Sequence, residues 1–70
     1  LMNPEQFRNY QAELGNMTHA ETARLLGVAE IGVKRYATGS RPIPEYIAQS
    51  LRAMVLLNRE GLFEKMAEMP

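Results

Sequence analysis

The sequence predicts an all-α chain of five short helices around a single core. Three observations carry the prediction. Side chains able to cap a helix N-terminus stand ahead of apolar stripes, at Asn3 with Gln6 and at Thr18 with Glu21. Glycines follow the stripes, at Gly15, Gly27, Gly39 and Gly61, where a left-handed residue ends a helix. Seventy residues leave room for one core, so residues 1–70 read as one domain. A chain this small buries only about 60% of its unfolded surface and gains from a partner.

Taken in order, Asn3 caps the first helix, Pro4 suits its first turn, and Gln6 completes a capping box. Phe7, Tyr10 and Leu14 recur at helical spacing and form its core stripe, and Gly15 stops it near residue 14. Leu1, ahead of Met2, reads as a cloning remnant. Met17 stands where a hydrophobic staple would sit before the Thr18 cap. The second helix spans about His19 to Leu26, with Ala23, Leu26 and the Thr22 methyl on one face. Gly27 ends it and Val28 plugs the junction. The third runs from Ala29 or Glu30 to Ala37, with Val33, Tyr36 and Ala37 inward. Ala29 offers no side-chain cap, and Gly32 costs roughly 1 kcal/mol relative to Ala inside a helix.

Gly39 closes the third helix. Pro42 and Pro44 stiffen the loop after it, Ile43 tucks into the core, and Arg41 stays free to reach outward. The fourth helix covers about Pro44 to Asn58. Ile47, Leu51, Met54 and Val55 can face the core, which leaves Tyr46, Leu56 and Leu57 over. Beyond a break at Gly61, Leu62, Phe63, Met66 and Met69 share one side of a last segment. This apolar surplus predicts a homodimer interface at Leu56, Leu57, Leu62, Phe63 and Met66. The alternative is a fifth helix that folds back over its own core.

Thr18 to Gly39 thus reads as a helix-turn-helix. It resembles the lambda-repressor/Cro-like (XRE-type) DNA-binding family, through Ala23, the Gly27-Val28 turn, Val33, Tyr36 and Gly39 at offsets that need no gap. The resemblance covers these 22 residues well and the flanking helices by pattern only. It implies a five-helix lambda-repressor-like domain whose third helix enters the major groove. By position, Glu30, Ile31, Lys34 and Arg35 match the family's base-contacting places. Thr18, His19, Thr38 and Arg41 match places near the phosphates. Family members often carry Gln where this chain has His19, so His19 reads either as a phosphate donor or as an exposed first-turn residue. Ala37 replaces a frequent Glu, and Gly32 falls where the backbone could come close to DNA.

The charge distribution agrees with that reading. The formal net charge is zero, which by itself speaks against a nucleic-acid ligand. Yet residues 22–44 hold Arg24, Lys34, Arg35 and Arg41 against Glu30, a net +3. Residues 1–21 carry −2 and residues 45–70 carry −1. The basic charge therefore falls on the third helix and the loop after it. A plain solvated face is the alternative.

The composition excludes several chemistries. Without cysteine, and with one histidine, neither a disulfide nor a structural zinc is expected. The glutamates are scattered and aspartate is absent, so no paired carboxylates suggest an enzyme. No apolar run reaches membrane length and no signal peptide is evident, so the chain reads as cytoplasmic. The expected partners are double-stranded DNA and a second copy of the chain, with no cofactor, no membrane and no small-molecule effector. What the resemblance implies is a transcriptional regulator of phage or mobile-element type in a bacterial host, a repressor in the first place. It would bind a pseudo-palindromic operator with half-sites about 34 Å apart. The rival is a protein-interaction adaptor or antitoxin module on the same fold, which the neutral total charge and exposed Ile31 favour.

Overall fold

Asn3 and Thr18 start the first two helices, each as one half of a reciprocal capping box. The Asn3 side chain accepts from the Gln6 amide and the Gln6 side chain accepts from the Asn3 amide; Thr18 and Glu21 do the same. The computed structural model describes all 70 residues apart from the Phe63 side chain. Among the described residues it is all-helical: α1 (Pro4–Glu13), α2 (His19–Leu26), α3 (Glu30–Thr38), α4 (Glu45–Arg59) and α5 (Phe63–Ala67). Pro44 stands just outside α4 as its N-cap, and α4 runs to Arg59, one residue beyond the span expected from the sequence. No helix among the described residues is long and apolar enough to cross a membrane.

The core joins four of the five helices. α2 lies closely against α3, α1 packs on α3 and α4, and α2 also meets α4. Phe7, Val33, Ile47, Ala48 and Leu51 are completely or almost completely buried, with Ala23, Tyr36, Ala37 and Val55 beside them. The Phe7 and Tyr36 rings meet edge-on, centroids 6.0 Å apart, an arrangement that aromatic quadrupoles favour. Tyr10, Leu14, Leu26, Val28 and Ile43 pack half-buried around this centre. Met54 is likewise half-buried rather than central.

Three features of the core were not expected from the sequence. Met2 is buried against it, although it precedes the first helix. Gln11 is buried as well, in the middle of the apolar stripe of α1. Arg8, also on α1, donates from Nη1 to the Ala37 carbonyl in the last turn of α3. That bond satisfies one of the carbonyls every helix end leaves open, and it puts positive charge at the negative end of α3. The orientation of α3 is thus tied to α1 at one end and to α2 along its length.

The last helix departs from the single layer of five expected from the sequence. α5 leans chiefly on α4, and none of its described side chains joins the core. Gly61, at φ +70°, turns the chain between α4 and α5. On α4, Arg59 makes a two-pronged bond to Glu13 at the end of α1, at 2.6 and 2.8 Å. The guanidinium holds the Glu13 carboxyl below its ordinary value.

Gly32 proves to be buried with Val33 and Tyr36. A Cβ built at Gly32 would find nothing within 4 Å apart from its own helix backbone and chain neighbours, so nothing in the fold requires glycine there. Gly32→Ala is expected to raise stability by about 1 kcal/mol through helix propensity. The check is a higher urea midpoint at unchanged slope. A lower midpoint would show that the space is needed.

Candidate nucleic-acid interface

The geometry of α2 and α3 follows from two small residues and one left-handed turn. Ala23 is 4% exposed and lies between the helices, where a larger side chain would hold them apart. Gly27 sits at φ +71°, a conformation that costs other residues steric strain. The amides of Gly27 and Val28 both turn back to the Ala23 carbonyl. Ala29 is extended and caps α3 without a side-chain bond. The connection between α2 and α3 is therefore three residues long, with Val28 half-buried against the core.

That packing divides α3 into two flanks. Val33, Tyr36 and Ala37 face the interior, Gly32 is buried with open space beside its Cα, and Glu30, Ile31, Lys34, Arg35 and Thr38 are exposed. All four residues expected to meet bases thus share the free flank of one nine-residue helix. Ile31 is 54% exposed, a branched apolar side chain left in water on an otherwise polar surface. Acidic neighbours do not neutralise the cations. Among the described residues, ion pairs join Arg52 to Glu45 and Arg59 to Glu13, and none involves Lys34, Arg35 or Arg41. Glu21 is also committed: hydrogen bonds from Thr18, the backbone amide first, hold its carboxyl below the ordinary value.

The residues expected to meet phosphates fall at two helix ends. At the end of α3, Gly39 takes φ +84°, and the Arg41 amide bonds back to the Arg35 carbonyl at 3.3 Å. The Arg41 side chain is exposed just beyond that turn. A Cβ on Gly39 would lie 3.2 Å from Pro4 Cγ, so the left-handed turn is also a close approach. Thr38 shares a 2.8 Å hydroxyl bond with Ser40. Ser40 was missed in the sequence, and the signal was a second hydroxyl two residues on across the glycine. At the start of α2, Thr18 is exposed, and its hydroxyl oxygen accepts from the Glu21 amide. His19 is half-buried and its Nδ1 lies 3.4 Å from Gln11 Nε2.

The apolar surplus lies away from this flank, on α4 and α5. Tyr46 is 66%, Leu56 60%, Leu62 42% and Met66 38% exposed. Leu57 is half-buried. Phe63, the remaining residue expected at a dimer interface, has a side chain outside the described residues. No group of three His, Cys, Asp or Glu side chains gathers to hold a metal among the described residues.

No family model, curated protein or solved structure matches this chain.

Proposed function

We propose that this chain is a small sequence-specific double-stranded-DNA-binding protein of the lambda-repressor/Cro-like kind, acting as a transcriptional repressor. In this reading α2 and α3 are the two helices of a helix-turn-helix, and α3 lies in the major groove. The supporting observation is the exposed flank of α3. Ile31, Lys34 and Arg35 stand outward on a helix whose other side is locked by Val33 and Tyr36, and the cations have no ion-pair partner among the described residues. Lys34 and Arg35 suit guanine O6 and N7, Ile31 suits a thymine methyl, and Glu30 can accept from a cytosine amine. His19, Thr38 and Arg41 supply donors for the flanking phosphates, and Thr18 stands beside His19 at the start of α2.

Site selection from a random-sequence duplex library, followed by gel shift at two salt concentrations, tests the reading. An enriched palindromic consensus is the expected result. No retention even at low salt would overturn it in favour of a protein-interaction adaptor on the same fold.

Arg41→Ala probes the phosphate assignment. The side chain is exposed, so the fold should be unaffected. Affinity should fall for all sequences alike, and the slope of log K against log salt should flatten by about one unit for each protomer in contact. A loss confined to one operator position would make Arg41 a base reader.

The reading includes a homodimer through α4 and α5, supported by the exposed Leu56, Leu62 and Met66. Leu56→Glu combined with Met66→Glu places two charges on this surface without entering the core. The helical circular-dichroism signal should persist. Sedimentation should give a monomer, and binding should drop to that of an isolated half-site. A doubly substituted chain that remains dimeric would move the interface elsewhere.

A further inference from the structure

Gln11 is 5% exposed, and a buried side-chain amide is costly unless its hydrogens find acceptors. The bonds around it settle where they go. The Thr22 hydroxyl donates to the Thr18 carbonyl at 2.8 Å, so its hydrogen is spent and its oxygen is left to accept. Gln11 Nε2 lies 3.0 Å from that oxygen and donates to it, which turns the NH2 group rather than the amide oxygen toward α2. The same nitrogen stands 3.4 Å from His19 Nδ1. Its second hydrogen therefore faces Nδ1, and a donor placed there calls for a lone pair on the ring nitrogen. A neutral imidazole with its lone pair on Nδ1 carries its proton on Nε2. Nε2 lies across the ring from Nδ1, so its N–H is aimed away from Gln11 and α1.

We infer that Gln11 is a positioning residue that holds the neutral His19 ring in its Nε2–H tautomer, offering one fixed donor to a DNA-backbone phosphate. The inference rests on the DNA-binding reading above. The opposite tautomer would turn a lone pair toward the phosphate and repel it. Thr18, Thr22 and Gln11 together remove that alternative, so a half-buried histidine acts as a directional neutral donor at the first turn of α2.

Two measurements test this. Long-range proton–nitrogen correlation of the His19 ring, in the free protein with the ring neutral, should show protonated Nε2 and unprotonated Nδ1. Gln11→Met should shift both nitrogens toward a tautomer mixture. Gel shift on duplex DNA then reads the donor. His19→Gln, which can place an N–H near the Nε2 position, should retain affinity. His19→Asn, whose amide reaches only as far as Nδ1, should lose roughly threefold to tenfold per half-site, the range for one hydrogen bond. Gln11→Met should lose less than His19→Asn, by the inverse of the Nε2–H fraction that the spectrum reports, and adding it to His19→Asn should cost nothing further. A wild-type ring protonated on Nδ1, or additive losses in the double variant, would overturn the inference. A wild-type chain that binds no DNA would overturn the functional reading and the phosphate role with it, while the spectrum alone decides the tautomer.

Discussion

Phe7→Ala is expected to remove most of the chain's stability at room temperature. The Phe7 ring has no exposed surface and meets Tyr36 of α3 edge-on. Truncating a fully buried phenylalanine costs about 3–5 kcal/mol, part lost transfer energy and part cavity. The total stability of a small domain is itself only several kcal/mol, at roughly 0.05–0.15 kcal/mol per residue. The site also has little room to collapse, because α1, α3 and α4 all converge on it and Arg8 pins the end of α3 to α1. Circular dichroism and a urea titration are the check. A variant that keeps a cooperative transition within about 1 kcal/mol of the parent would mean that α1 is not integral to the core.

Lys34→Ala should produce the largest change in DNA binding that leaves the fold intact. Lys34 is exposed on α3 and joins no ion pair among the described residues, so removing it breaks no internal contact. A good base contact in the major groove is worth about 1–3 kcal/mol of discrimination. A homodimer loses it twice, which makes the expected penalty roughly 2–6 kcal/mol on the selected operator. Melting should stay within about 0.5 kcal/mol of the parent, as for other surface substitutions. The distinguishing measurement is selection with the variant: specificity should relax at one symmetric pair of positions. A uniform loss across all sequences would move Lys34 to the phosphates. No loss at all would remove α3 from the groove.

These two substitutions act on opposite sides of α3. Phe7 belongs to the set that holds α3 in place, and Lys34 to the set that α3 presents. The separation is built into the helix period. Residues about 100° apart per step cannot all face one way, so fixing Val33 and Tyr36 inward commits Ile31, Lys34 and Arg35 outward. The polar bonds refine that arrangement. Arg8 holds the last turn of α3, and Gln11 orients the first turn of α2, both from α1.

Local signals were enough to determine the helices. Both capping boxes, the left-handed Gly27, Gly39 and Gly61, and the unaided cap at Ala29 are decided within a few residues of chain, by backbone donors that need acceptors and by the φ that only glycine takes cheaply. The two flanks of α3 were legible for the same reason, since apolar spacing tells which side is buried. Tertiary structure alone decided what crosses between helices. Gln11 sat four residues after Phe7 and three before Leu14, and that register was the one hint that its amide would be buried; its partners on α2 lie 8 and 11 residues away. Arg8 read as a surface charge until α3 brought the Ala37 carbonyl to it, 29 residues on. Met2 gave no periodic signal because it precedes any helix. The fifth helix stayed outside the core because α1 and α2 already cover the inner face of α4. Capping and periodicity act over one or two helical turns, whereas a buried hydrogen bond or a covered face depends on which distant surface arrives, and that is set only when the helices pack.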